Sequence, residues 1–197
     1  MALTDGYTKI GSGKIASVVT YLEMSHPPDG PEVTGKPEWS LEWQENPDPE
    51  WYRRLFRLVG QDWLWFSRLE LDLEALALII RDPRVEVFAL KIGGIDKGLL
   101  EIDRREVPDV ELAFIGLTPD AIGIGAGKFL LDQAVRLAWT PQPRRVLVHT
   151  CTLDHPRALP LYCSAGFVPY ARAIEVADDP RLTGILPRTA AANVPVI

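Results

Sequence analysis

Three glycines at alternate positions, Gly123, Gly125 and Gly127, stand where the sequence changes from a strand pattern to a helix pattern. Residues 110–117 are almost entirely apolar, as in a buried strand, and residues 125–139 carry an apolar stripe at helical spacing. Glycine lets the backbone turn sharply and approach a ligand closely. The start of a helix offers unpaired N–H groups and the positive end of a dipole. This unit therefore favours an anion site that suits a pyrophosphate.

Two common glycine-rich loops do not fit this segment. A P-loop needs a glycine five residues before its Gly-Lys pair and a serine or threonine after it. Around Gly127 and Lys128 those positions hold Ile122 and Phe129. A dinucleotide fingerprint needs a wider glycine spacing in a β–α–β unit that starts the domain. Taken alone, the glycines remain equally compatible with a turn that only permits close packing.

The rest of the chain divides into a strand meander and a later β–α–β part. The apolar patterns and turn residues predict six strands, at 15–24, 85–91, 98–105, 110–117, 145–151 and 167–176. Helical spacing and capping residues predict four helices, at 49–60, 72–82, 125–139 and 156–165. The proline-rich segments 25–48 and 177–197 are predicted to be irregular, although Trp39, Leu41 and Trp43 alternate as if one side were buried.

Composition narrows the classes of protein. A length of 197 residues suits one globular domain. The net charge of −6 argues against a nucleic-acid partner, because phosphate binding needs a basic face. Two cysteines, Cys151 and Cys163, make no disulfide framework, and the start of the chain lacks a signal-peptide pattern. With no apolar run near the roughly 20 residues of a membrane span, we expect a cytoplasmic protein without membrane contact.

Two further motifs follow the glycine turn along the chain. They are Ala158-Leu-Pro-Leu-Tyr162 and Gly166-Phe167. With Leu117-Thr-Pro-Asp and Phe129-Leu-Leu, they resemble the GNAT (GCN5-related N-acetyltransferase) superfamily over about sixty residues. That family's acetyl-CoA loop usually reads Gln or Arg, two residues, Gly, one residue, then Gly or Ala. Its later signature reads Asn, two residues, Ala, three residues, Tyr, followed by Gly-Phe.

The resemblance has two departures. Ile122 stands where the family usually has Arg or Gln, so one side-chain contact to the phosphates is missing. The backbone amides from Ile122 to Lys128 could still bind them. His155 stands at the usual Asn position and could contact the pantetheine arm or the acceptor.

The resemblance implies a fold and an activity. The fold would be α/β (α+β), one domain over residues 1–197. Its central mixed sheet would begin as an antiparallel meander and continue as a splayed parallel β–α–β unit, with about four flanking helices. The activity would be direct transfer of an acetyl group from acetyl-CoA, the acyl-donor co-substrate, to a primary amine of a small molecule or peptide, without a metal. The implied donor-binding residues are Ile115, Leu117, Ile122, Gly123, Ile124, Gly125, Ala126, Gly127, Lys128 and His155.

Two residues are candidates for the chemistry. Tyr162 matches the family tyrosine that donates to the CoA sulfur, and a phenol is a neutral hydrogen-bond donor at pH 7. Glu111 lies where some family members carry a general base, which is useful because an aliphatic amine is protonated at neutral pH. Glu111 is equally compatible with a carboxylate at the sheet edge in solvent. In the family, the strand of Ile115 and Leu117 splays from its parallel neighbour, which here is 145–151.

Other polar residues leave alternatives open. His149, Cys151, Asp154 and His155 could suggest a metal site or a Cys-His nucleophile, but their spacing fits no closed zinc pattern and a buried thiol is usually inert. In the GNAT interpretation they line the acceptor side. Glu101 and Asp103 share one face of their strand and could together attract a cationic acceptor. We expect instead that both are carboxylates in solvent.

One rival function comes from a different class. A catalytically silent acyl-CoA-binding or sensor domain is favoured by Ile122 and His155, whereas Tyr162 favours the enzyme. A homodimer is a possible assembly, because dimers are common among small enzymes.

Overall fold

The computed structural model describes residues 5–197. The prediction about a signal peptide concerned the beginning of the chain, and residues 1–4 of that segment lie outside the described residues. Within residues 5–197 there are seven strands: β1 Lys14–Met24, β2 Trp39–Trp43, β3 Val85–Ile92, β4 Ile95–Asp103, β5 Asp109–Leu117, β6 Arg145–Cys151 and β7 Val168–Asp178. The same range holds five α-helices: α1 Pro49–Gly60, α2 Ser67–Glu70, α3 Leu73–Ile80, α4 Ala126–Ala138 and α5 Ala158–Ser164. Single 3-10 turns occupy Gln61–Trp63 and Pro119–Ala121.

The strands form one mixed sheet in the order β2-β3-β4-β5-β6-β1-β7. All neighbouring pairs are antiparallel except β5 and β6. That parallel pair is short, and it ends where Glu111 pairs with Leu147. Beyond this point the two strands diverge, so the sheet has the predicted meander followed by a splayed parallel unit.

Capping residues explain where two of the helices begin. The side chain of Asp48 accepts a hydrogen bond from the Glu50 N–H at 3.0 Å, and Pro49 occupies the first helical position of α1. Asp72 accepts from the Ala75 N–H at 2.7 Å and starts α3. Both helix starts were predicted from the sequence.

The sheet separates two apolar cores. Alternate residues of β3 belong to different cores, since Phe88 and Leu90 pack with α4 whereas Val87 and Ala89 pack with α1 and α3. We call these sides the α4 side and the α1 side of the sheet. Any ligand that passes between β5 and β6 would therefore cross from one side of the molecule to the other.

Two sequence-based expectations need correction. Segment 25–48 was predicted to be irregular, but Trp39–Trp43 pairs with β3 as an antiparallel strand. The tail 177–197 contains no helix or strand after Asp178, and buried Arg181 holds it in place by binding Asp179 and by donating to three carbonyl groups of the tail. Glu101 was expected in solvent, but its side chain is fully buried.

Buried Glu101 is held by two partners from the α1 side. Arg68 Nη2 lies 2.6 Å from Glu101 Oε1, and the Tyr52 hydroxyl donates to Glu101 Oε2. Asp103, the other carboxylate of that strand face, is paired with Arg105. Neither carboxylate is therefore free to receive a cationic acceptor.

The described part of the chain contains no helix with the length and apolar character that a membrane crossing requires.

Candidate active site

A cavity of about 1160 Å³ opens where β5 and β6 separate. It extends from the glycine turn on the α4 side to an aromatic wall on the α1 side. The sequence-predicted residues that line it are Glu111, Ile115, Leu117, Ile122, Gly123, Gly125, Gly127, Lys128, His155 and Tyr162. Two predicted residues do not line it: the Ala126 side chain is buried in the core, and Ile124 is exposed.

The glycine turn forms an open cradle at one end of this cavity. Gly123 and Gly125 have φ angles of 89° and 95°, which favour glycine over any other residue. A Cβ added at Gly123 would point into open space as far as the described residues are concerned. Gly125 directly precedes α4, whose start has no side-chain cap within residues 5–197. The turn is therefore open to a ligand and is not plugged by side chains.

The amides that can bind an anion begin after Ile122. The Ile122 N–H donates to the Pro119 carbonyl at 3.3 Å, so this predicted donor is already used. The N–H groups of residues 123–128 form no backbone hydrogen bond outside helices and strands in the part of the chain that the structure describes. Lys128 and Arg157 also line the cavity and bring positive charge to it. This combination fits a pyrophosphate.

Tyr162 lies on α5 and is 7% exposed. Its ring packs edge-on against Phe167 with the centroids 6.1 Å apart. Burial raises the pKa of the Tyr162 phenol, and the negative charge of Asp154 adds to the rise. The phenol is therefore protonated across the physiological range, and it can donate a hydrogen bond into the cavity.

Glu111 and His149 form a pair across the splay. Glu111 Oε1 lies 2.9 Å from His149 Nδ1, and both side chains are about half exposed. Leu147 is paired with Glu111, and His149 follows two residues later on the same face of β6. The hydrogen bond to Glu111 raises the pKa of His149 against the opposing effect of burial. The sequence suggested each residue separately but missed their contact.

Two further carboxylates act on the same imidazole. Asp154 and Glu175 both raise the pKa of His149 through their charge. Glu175 lies on β7 and accepts a hydrogen bond from the Ser17 hydroxyl at 3.5 Å. The α1 side of the cavity is therefore acidic around one ionisable histidine.

The Asp154 carboxylate accepts hydrogen bonds from three different residues, and the sequence did not predict these contacts. Its carboxylate accepts from the Thr150 hydroxyl at 2.8 Å, from the Cys151 N–H at 2.7 Å and from the Trp65 indole N–H at 3.0 Å. Burial raises the pKa of the Cys151 thiol, and the charge of Asp154 adds to the rise. Cys151 is thus a protonated thiol and a poor nucleophile. Within residues 5–197 no cluster of three or more His, Cys, Asp or Glu side chains could hold a metal ion.

His155 precedes α5, and one hydrogen bond fixes its tautomer when the ring is neutral. Its Nδ1 accepts from the Arg157 N–H at 3.0 Å, so a neutral ring carries its proton on Nε2. The ring also packs edge-on against Trp63 at 5.0 Å. His155 therefore offers one N–H donor to the cavity, as an asparagine amide would.

No protein-family model and no curated protein matches the sequence. Solved structures do match its fold. A GNAT-family protein from Novosphingobium aromaticivorans is 13% identical with a TM-score of 0.59, over 85% of this chain and 68% of that one. A GCN5-related N-acetyltransferase from Sphaerobacter thermophilus is 14% identical with a TM-score of 0.58, over 87% and 53%. Another from Kribbella flavida is 14% identical with a TM-score of 0.57, over 87% and 63%.

These likenesses establish the fold. The chain spans between about half and two thirds of the length of these structures. Together with the splayed β5–β6 pair, they show that the chain has the GNAT fold, as the sequence motifs indicated.

Proposed function

We propose that this protein is an acyl-CoA-dependent N-acyltransferase that moves an acetyl group from acetyl-CoA to a primary amine in a ternary complex. One observation carries the proposal. A single cavity connects an open glycine turn at a helix start with Tyr162 and with the Glu111–His149 pair. The groups that would bind phosphate, stabilise a leaving thiolate and deprotonate an amine thus line the same cavity.

The donor would be held by main-chain groups. The amides after Ile122 suit the pyrophosphate, and Lys128 adds charge to the same end of the cavity. Ile115 and Leu117 lie on the part of β5 beyond its pairing with β6, where the strand edge is open to an extended pantetheine arm. His155 offers its Nε2–H as a further donor.

His149 would be the base, with Glu111 holding it in position. Donation from Nδ1 to Glu111 leaves Nε2 to accept a proton. In the reaction, His149 takes one proton from the arriving ammonium group, and the neutral amine nitrogen then bonds to the carbonyl carbon. The carbon–sulfur bond breaks as the nitrogen gives its second proton to the departing thiolate, which leaves the amide, the CoA thiol and a protonated His149. This assigns Glu111 a positioning role instead of the direct base role expected from the sequence.

Tyr162 would stabilise the leaving thiolate. A thiol has a pKa near that of cysteine, about 8.5, whereas the pKa of the Tyr162 phenol is raised above its usual value of about 10. The phenol is then the weaker acid, so it donates a hydrogen bond and keeps its proton. We therefore modify the general-acid role expected for Tyr162 to that of a hydrogen-bond donor.

The acceptor would be a small-molecule or peptide amine that arrives as a cation. Glu111, Asp154 and Glu175 surround the region of His149 with negative charge, which attracts an ammonium group. The cytoplasmic location, the absence of nucleic-acid or membrane partners and a possible homodimer also belong to this proposal.

Two measurements in sequence test it. Isothermal titration calorimetry with acetyl-CoA should show binding, and thiol release should then be measured against a panel of polyamines, amino acids, aminoglycosides and peptides. Turnover with any primary amine supports the proposal. Binding without turnover on the whole panel would favour the acyl-CoA sensor, and failure to bind acetyl-CoA would overturn both functions.

A further inference from the structure

Trp65 lies at the open end of the splay on the α1 side. A Cβ added to Gly116 of β5 would lie 2.5 Å from Val59 Cγ1 and 3.0 Å from the tip of the indole, and one added to Gly60 would lie 2.4 Å from Trp65 Cβ. Two glycines therefore leave the space that the Trp65 side chain fills. Leu64, just before it, has a φ of 54°, a conformation that leucine rarely adopts.

The indole is fixed on its other sides as well. The Phe56 and Phe114 rings pack against it, each with a centroid 5.4 Å away. Its N–H donates to Asp154 at 3.0 Å. Asp154 is itself bound to Thr150 and to the Cys151 N–H at the end of β6. Trp65 thus reaches from Gly116 on β5 to the end of β6 and spans the gap between the two strands.

Two contacts therefore frame the gap on the α1 side. Glu111 and His149 meet near the point where the strands part, and Trp65 meets Asp154 at the far end. Trp65, Glu111 and His149 all line the cavity. An acyl group that emerges from the α4 side through the gap would have only the space between these contacts.

We propose that Trp65 sets the maximum length of the acyl group. This inference rests on the proposed function, because it concerns the donor of that reaction. A short acyl group would occupy the space between the two contacts, and a longer chain would meet the indole of Trp65, which Phe56, Phe114 and Asp154 hold in place. The site therefore selects short acyl donors by a rigid wall.

Because Trp65 would block longer acyl groups, the usual increase of affinity with acyl chain length should reverse in this protein. Each additional buried methylene ordinarily tightens binding about fourfold. In this protein the gain should stop after propionyl, and hexanoyl-CoA should bind at least about tenfold more weakly than acetyl-CoA. In Trp65→Ala the space opens, so hexanoyl-CoA should bind as tightly as acetyl-CoA or more tightly.

Calorimetry of acetyl-, propionyl-, butyryl- and hexanoyl-CoA on the full chain tests this without an acceptor. Trp51→Ala is the matched control, because the Trp51 indole also donates to a carboxylate, Asp96 at 2.8 Å, and packs on the same core outside the cavity. It should keep the wild-type length profile. Trp65→Leu, checked by circular dichroism, serves if Trp65→Ala does not fold, and it should shift the limit toward butyryl.

The outcomes separate the two proposals. Equal binding of acetyl- and hexanoyl-CoA by the wild type, or an unchanged limit in a folded Trp65 variant, would overturn the role of Trp65 while leaving the proposed function standing. Failure of the wild type to bind even acetyl-CoA would instead overturn the proposed function, and the inference with it.

Discussion

The Glu111 carboxylate lies 2.9 Å from the Nδ1 atom of His149, next to the point where β5 and β6 cease to pair. The two residues lie on different strands and are 38 positions apart in sequence. Their contact links the two strands of the only parallel pair among the described strands at the end of their pairing, and it couples the charge of Glu111 to the protonation of His149.

This pair predicts a specific pH dependence. The pKa of His149 is raised, so the neutral base form gains population only as pH rises through that raised value. Activity, as kcat/KM, should rise through the same range. Glu111→Gln removes the charge, so the rising limb should move to lower pH while the plateau falls by about tenfold or more. A full pH–rate profile of both proteins measures this.

Two variants accompany that profile. His149→Ala should lose about 100-fold in turnover on the plateau, and the rising limb should disappear because the titrating base is gone. Glu86→Gln removes a carboxylate that pairs with Arg104 outside the cavity, and its profile should match the wild type. A limb that stays in place in Glu111→Gln would show that another group controls the reaction.

Much of the fold was predictable because its signals are local. Asp48, Pro49 and Asp72 mark helix starts through contacts within a few residues. The glycine turn and the Tyr162 motif are also continuous in sequence, and both line the same cavity.

The remaining features depend on distant contacts. β2 is five residues long and lies in a proline-rich stretch, and its pairing with β3 stabilises it where local preference would not. Glu101 was expected in solvent because an isolated carboxylate avoids the core, and its burial depends on Arg68 and Tyr52 from elsewhere in the chain. The Glu111–His149 and Trp65–Asp154 contacts likewise require the register of the sheet.

Tyr162→Phe tests the thiolate donor. A hydrogen bond to a charged group contributes about 1.5–3 kcal/mol, so turnover should fall about 10- to 100-fold. Acetyl-CoA affinity should change little, because the donor acts mainly as charge develops on sulfur. Calorimetry and thiol release separate the two effects.

Tyr170→Phe is the control for that substitution, since Tyr170 is exposed and does not line the cavity. Unchanged turnover in Tyr162→Phe would remove the phenol from the mechanism.

Gly123→Ala tests the phosphate cradle. An alanine at the φ of 89° is strained by roughly 1–2 kcal/mol. The turn should relax away from its open shape, and we expect acetyl-CoA to bind about tenfold more weakly or worse. Calorimetry measures the affinity, and urea denaturation measures the stability.

Gly94→Ala provides a matched strain outside the cavity. Gly94 has a φ of 78° in the β3–β4 turn, and a Cβ there also meets open space in the described part of the chain. It should lose similar stability and keep full affinity. Equal affinity in the two variants would argue against amide binding at the glycine turn.

Arg68→Met should destabilise the fold strongly. It leaves Glu101, fully buried, without its cationic partner. Breaking a buried pair in this way costs about 3–5 kcal/mol, which urea denaturation should detect as a lower midpoint. Arg84→Ala removes a pair with Asp82 whose arginine is 58% exposed, and it should leave the midpoint unchanged. Similar midpoints for both variants would show that Glu101 tolerates isolation.

The position of β1 has a consequence for biosynthesis. In the finished sheet Val19 pairs with Cys151 on one side and with Ala173 on the other. A ribosome releases β1 before β2 to β5 are made and before either of its neighbours exists, so β1 stays unpaired while the residues between Met24 and Arg145 are synthesised. Such distant pairing slows folding and prolongs the exposure of apolar surface. Cellular chaperones that hold nascent chains should therefore matter more for this protein than for one whose first strand pairs with its second.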